Sequence, residues 1–179
     1  GTGTTVFNGL ITDAGLTSSG TIGVGGEYYN VITNTVSGTG GILVLSSSNN
    51  HTGGVAIEAG GRLLINNTQA LGSGAVGFNG AGGFDNITDS PLSVANGIQM
   101  VNSSGTYLGT NNSSFTTSGT FYFSGAAKTF AVASGTVEVG QLGSDGTATT
   151  RLSKDGQGTM IVNNAAVTLS STFRSEEHT

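Results

Sequence analysis

Cysteine and tryptophan are both absent from the 179-residue chain. Without cysteine there are no disulfides, thiolate metal sites or cysteine nucleophiles. A cysteine-free chain also suits a surface protein that must cross a membrane unfolded. Proline occurs once, and charged residues make up only 8%. The chain therefore lacks the charged, proline-rich makeup of a disordered segment. Lys and Arg together number 5 and the formal net charge is −5. That leaves no basic patch to neutralise phosphates and argues against nucleic acid as a partner. No apolar run approaches the roughly 20 residues of a membrane helix, so no membrane span is expected. There is no initiator methionine and no signal peptide. The chain opens in mid-pattern with "GTGTTVFNG" and reads as an uncapped fragment of something longer.

What remains is glycine, 32 residues, set among Ser, Thr, Asn and a 35% hydrophobic fraction. High glycine, low charge and many β-branched residues point to an all-β protein rich in turns. The last residues, "RSEEHT" at 174–179, break with this makeup. The codons AGA TCG GAA GAG CAC ACG encode them, and that string resembles a sequencing adapter read through as protein. Residues 174–179 are accordingly set aside as a non-native tail, leaving 1–173 as one β-helical domain.

A repeat organises that domain. "GTGTTVFNG" at the start, "GILVLSS" from Gly41, "GTFYFSGA" from Gly119 and "GTMIVNN" from Gly158 share one shape: Gly, alternating residues, then Ser or Asn. The degenerate "GAGGFDN" from Gly80 supplies a missing copy, with Phe84 in frame. A second series begins at Gly20, Gly61, Gly97 and Gly135. Merged, the glycines recur every 19 residues or so, roughly one solenoid repeat. Side chains alternate faces along a strand. The third and fifth residues of each copy are mostly apolar: Ile22 and Val24, Leu43 and Leu45, Leu63 and Ile65, Phe121 and Phe123, Val137 and Val139, Met160 and Val162. Such short strands cannot bury a face alone but can when stacked. The pattern predicts a parallel β-helix of about nine coils, a rod on the order of 40 Å long. A β-sandwich is the runner-up, but it predicts no running period.

The stretch "LSSSNNHTGGVAIEAGGRLLI", 45–65, resembles the autotransporter-associated β-strand repeat, with Thr52-Gly53-Gly54 in register between two strands. "LSKDGQGTMIVNN", 152–164, is similar to that repeat's lead-in. The likeness is strong over 38–74, partial at 1–9 and 119–129, and thin elsewhere. His51 stands where the family has an aromatic residue, and Arg62 and Leu64 replace small or polar ones. The resemblance implies a right-handed β-helix passenger of a large secreted or surface-displayed bacterial protein. A C-terminal β-barrel in the outer membrane, absent from this chain, would export it.

Side chains that could carry chemistry are few. His51 lies in a Ser- and Asn-rich corner, and such residues favour turns. Ser46–Ser48 and Glu58 are its nearest chemical neighbours. Asp85 and Asp89 are the closest carboxylate pair outside the tail. Paired carboxylates can hydrolyse glycosides, yet a spacing of four in a loop beside Pro91 holds no set geometry. "GAGGFD" resembles the calcium-binding nonapeptide, which works only in tandem. Lys154 and Asp155 read as a solvated turn, and Arg62, Lys128 and Arg151 are scattered. Tyr28, Tyr29 and Tyr107 are the loose support for a glycan groove. The sequon Asn86-Ile87-Thr88 is a chance occurrence in so Asn- and Thr-rich a chain.

No catalytic, cofactor-binding or metal-ligating residue is assigned, and no enzyme is expected. The expected role is a structural passenger segment at the surface of, or secreted by, a Gram-negative bacterium. It would be a scaffold for adhesion to host or abiotic surfaces or glycans. The rest of the parent chain, with its barrel, is its first expected partner. The alternatives are a polysaccharide-active β-helix enzyme and a calcium-stabilised secreted repeat.

Overall fold

The computed structural model describes residues 4–8, 35–36, 41–101, 106–108, 114–145, 150–164 and 172–175. Sixteen strands and no helix appear among them. One sheet stacks β1 (Thr4–Phe7), β3 (Ile42–Leu45), β5 (Arg62–Ile65), β7 (Gly83–Asn86), β10 (Thr106–Leu108), β12 (Lys128–Val132), β14 (Arg151–Asp155) and β16 (Thr172–Ser175), in that spatial order. The other stacks β2 (Thr35–Val36), β4 (Val55–Ile57), β6 (Val76–Phe78), β9 (Ile98–Met100), β11 (Phe115–Phe123), β13 (Thr136–Ser144) and β15 (Thr159–Asn164). The short β8 (Leu92–Val94) pairs with the first half of β11. All pairings between these strands are parallel. Parallel neighbours need a crossover between them, and here the opposite sheet is that crossover. The result is a β-solenoid.

About five turns can be followed from one sheet to the other. They run β3–β4, β5–β6, β7–β9, β12–β13 and β14–β15. The expectation of nine coils spans residues 3–173, part of which lies outside the described residues. From β3 onward one turn takes 20 residues (Leu43 with Leu63) to 24 (Leu108 with Val132), more than the roughly 19 expected, while Thr4 pairs with Ile42, 38 residues on.

The expected alternation holds in β5, the start of β13 and the second half of β11, but Val44, Asp85 and Ala131 are buried too. In the Gly97 copy Ile98 and Met100 turn inward, while Gln99 and Val101, third and fifth in the frame, are exposed. Leu43, Leu45, Leu63, Ile65, Phe84, Phe121, Phe123, Val137 and Val139 all point inward and are buried. Met160 and Val162 pack against the same core from its end. Ile22 and Val24 lie outside the described residues. Two edge-to-face ring pairs join the sheets: Phe84 with Phe115 at 4.9 Å and Phe121 with Phe130 at 4.7 Å. Such pairs add to the area they bury.

The repeat frame needs correction. It placed Leu43/Leu45, Phe121/Phe123 and Met160/Val162 in one register. Leu43 and Leu45 belong to the first sheet, whereas the other two pairs belong to the second. Within the second sheet, Met160 and Val162 pair with Val137 and Val139, while Phe121 pairs with Ile98 and Leu142. Glycine opens strands in both sheets, so a glycine series cannot tell one sheet from the other. It slips across between Gly80, which precedes β7, and Gly97, which precedes β9. That is the turn widened by Pro91 and β8.

The boundary set at 173/174 falls inside β16, where Arg174 and Ser175 pair with Ser153 and Lys154. Residues 176–179 lie outside the described residues.

Candidate functional site

The corner between β3 and β4 holds His51, and the corners of the next turns stack on it. The His51 ring is buried and lies on Gly72, which adopts a positive φ of 59°. A Cβ on Gly72 would run into the His51 carbonyl and sit 2.9 Å from Nδ1. The same carbonyl accepts the Ser73 N–H at 3.0 Å. One turn further, the buried Asn96 amide faces the Gly72 carbonyl at 3.1 Å and the Gly74 carbonyl at 2.6 Å. The Thr117 hydroxyl donates to the Asn96 carbonyl in turn. Beside His51, Asn49 Nδ2 donates to the Ala70 carbonyl at 2.7 Å. The Asn49, Asn96 and Thr117 side chains and the His51 carbonyl therefore tie consecutive corners together, as buried polar groups must be tied.

Two of the serines nearest His51 in sequence, and Glu58, have partners of their own. Ser47 Oγ donates to the Asn8 carbonyl, and Ser48 Oγ to Gln69 Oε1 at 2.6 Å. Glu58 sits beyond the opposite end of β4, where its Oε1 accepts from Asn79 Nδ2 at 2.8 Å. The corner serves as a packed joint.

Asp85 and Asp89 are separated by environment. Asp85 lies within β7, buried at 3% exposure and in register with Leu64, while Asp89 is exposed in the following loop. Gly82 and Gly83 of "GAGGFD" are buried. A Cβ on Gly82 would press on the Ile57 side chain, and one on Gly83 would meet the Arg62 side chain at 3.3 Å. The glycines thus let turns approach closely, the packing role that a strand glycine often has. The sequon asparagine Asn86 is buried, and its Nδ2 donates to the Ser90 and Ser114 carbonyls, each at 2.9 Å. Both amide hydrogens are used, so the group cannot accept a glycan as folded.

The basic residues stay apart. Arg62 lies outward on β5, half-buried across Gly83. Lys128 is buried at the start of β12, whereas Arg151 is exposed on β14. Lys154 and Asp155, expected in a turn, instead end β14; the turn starts at Gly156, whose carbonyl accepts from the Lys154 ammonium and whose N–H donates to Asp155 Oδ1 at 2.7 Å. Tyr28 and Tyr29 lie outside the described residues. Tyr107 occupies β10, where its backbone pairs with Gly83 and Ala131.

Two arrangements were not foreseen from the sequence. Glu138 spans three strands outside the second sheet: Thr116 Oγ1 lies 3.5 Å from Oε2, and Asn163 Nδ2 donates to Oε1. At another corner Asp145 Oδ2 accepts the Gly125 N–H at 2.8 Å. There the buried Thr150 hydroxyl lies 2.7 Å from both Asp145 Oδ1 and the Gly125 carbonyl. The sequence signal for both is a spacing of one turn between short polar residues, hidden because such residues are everywhere in the chain. Among the described residues no group of three or more His, Asp or Glu could hold a metal ion, and no helix is long and apolar enough to cross a membrane.

No family model, curated protein or solved structure matches this chain.

Proposed function

We propose that the chain is a structural passenger segment: a β-helical scaffold that carries adhesive or interacting surfaces away from a bacterial cell. The observation that supports this reading is the use of the polar side chains. His51, Asn86, Asn96, Glu138 and Thr150 are each engaged in contacts that run from one turn to the next or pin a corner. A solenoid is stabilised by contacts between neighbouring repeats, and these polar residues add to those of the apolar core. The stretch 45–65, which carries the autotransporter-like pattern, spans β4, β5 and the corners that join them to β3. The finer parts of the proposal are a right-handed helix continuing to nine coils, a C-terminal outer-membrane barrel in the parent protein, and contacts with host or abiotic surfaces or glycans.

The test is display. The chain is placed between an export signal and an outer-membrane translocator barrel in a Gram-negative host. Surface exposure is read by added protease on intact cells, and adhesion by binding to glycan- or protein-coated plates. The proposal expects a protease-accessible, folded passenger that raises adhesion above that of the barrel alone. Retention in the periplasm, or turnover of polysaccharide by the purified chain, would count against it.

A further inference from the structure

We propose that Asn79 is a site of spontaneous deamidation, and that its conversion loosens the corner between β6 and β7. Asparagine followed by glycine occurs at 8–9, 79–80 and 96–97. Gly9 lies outside the described residues, so the comparison is between the other two. Asparagine is among the chemically labile side chains, and a following glycine leaves the reacting nitrogen unhindered. The Gly80 main-chain nitrogen attacks Asn79 Cγ and forms a five-membered succinimide. The Cγ–Nδ2 bond breaks, and Nδ2 departs as ammonia with the proton given up by the Gly80 amide. Water then opens the ring at either carbonyl, leaving aspartate or isoaspartate. Water is the only co-reactant.

The two sites differ in what surrounds them. Asn79 is exposed, and its Nδ2 has the surface carboxylate of Glu58 as hydrogen-bond acceptor at 2.8 Å. Asn96 is buried, with its Nδ2 facing the carbonyls of Leu71, Gly72 and Gly74 at 3.5, 3.1 and 2.6 Å. The nucleophile at that site is also covered: a Cβ on Gly119 would lie 2.5 Å from the Gly97 nitrogen. Glycine at 80 is itself required by packing, since a Cβ there would lie 2.5 Å from the Ala59 nitrogen. The fold thus keeps the labile dipeptide at an exposed corner.

The product changes the corner electrostatically. An aspartate at 79 replaces the donor by a second carboxylate facing Glu58, and two like charges at that range repel. Isoaspartate also lengthens the main chain by one carbon, between two strands whose register is set by their neighbours. Both effects weaken the tie between the β4 and β6 turns.

The experiment is incubation of the purified chain in mildly alkaline buffer, folded and in urea, followed by peptide mapping with isoaspartate detection. Folded protein should convert Asn79 roughly tenfold or more faster than Asn96, equivalent to a barrier difference of about 1.4 kcal/mol. In urea the two should convert at similar rates. Equal conversion in the folded chain, or Asn79 staying intact when folded yet converting in urea, would overturn the site. Asn79→Asp should lower the melting temperature, and Glu58→Gln should reverse that loss. An Asn79→Asp variant that melts with the parent would overturn the effect on the corner.

Discussion

At the scale of single residues, Tyr122 and its neighbours show how one strand sorts side chains. Phe121 and Phe123 are buried at 0% and 1% exposure. Tyr122 points outward, half-buried, with its Cδ2 only 3.3 Å from where a Cβ on Gly143 would be. Truncating a packed Phe to Ala costs about 3–5 kcal/mol, while a surface change usually stays within about 0.5 kcal/mol. Phe123→Ala should therefore shift the urea midpoint far more than Tyr122→Ala, even allowing for the Tyr contact with its neighbouring strand. The opposite order would mean that the strand faces the other way. Two glycines give a second comparison. Gly72 has a positive φ and abuts His51, whereas a Cβ on Gly77 would find its nearest neighbour, the Val55 carbonyl, at 3.9 Å. Gly72→Ala should destabilise by about 2 kcal/mol or more, combining backbone strain with a clash. Gly77→Ala should be neutral or stabilising by up to about 1 kcal/mol. Thermal melts of the two variants decide it.

At the scale of elements, β11 is the strand at which the second sheet takes two neighbours on one side. Its first half pairs with β8 and its second with β9, with a register shift between Thr117 and Thr120 against β13. A bulge of this kind bends a strand and leaves a residue outside the ladder. It lets Phe115 meet Phe84 and Phe121 meet Phe130, both across the core. Gly119 sits in the bulge, and a Cβ there would lie 2.5 Å from the Gly97 nitrogen. Gly119→Ala should cost about 2 kcal/mol or more and loosen β9 and β11 together. Faster hydrogen exchange in β9 and β11 than in β3 and β5 would report it; uniform exchange would contradict it. The inward Phe121 and Phe123 and the outward Tyr122 of β11 were legible in the sequence because alternation is local. The bulge was not, because it answers to strands more than twenty residues away, β9 and β13.

At the scale of the whole molecule, the strands last in each described sheet matter most. Among the described residues β15 pairs with β13 alone, and Ile161 stands outward on it at 41% exposure. An edge strand presents unpaired N–H and C=O groups, and solenoids normally need capping repeats. The 179-residue chain on its own should therefore self-associate as its concentration rises. Ile161→Lys should reduce that association, since a charged edge resists further pairing. Light scattering showing a monomer at all concentrations for both proteins would contradict the expectation. Calcium should not enter this balance. Asp85 and Asp89 sit in different environments, one buried in a strand and one exposed, and the glycines beside them serve packing. A melting temperature that falls with a chelator and recovers with calcium would restore the calcium-stabilised alternative.

The sequence alone determined the fold class and the inward residues of β5, of the start of β13 and of the second half of β11. Low charge, abundant glycine and alternating apolar residues admit little besides stacked short strands, and alternation depends only on neighbours two residues apart. Only the tertiary structure decided which strand lies on which. The glycine spacing put Phe121 and Leu43 in one ladder, but the fold puts them in opposite sheets. Corners of unequal length separate the strands, so distance along the chain does not report position in the stack. The tertiary structure also decided the fate of the polar residues. His51 read as a corner residue and Asn86 as a chance sequon, and what makes them structural is a glycine or carbonyl one turn away. The physical reason is that a strand's alternation is a property of its own backbone, whereas a partner across the stack exists only once the chain has coiled back on itself.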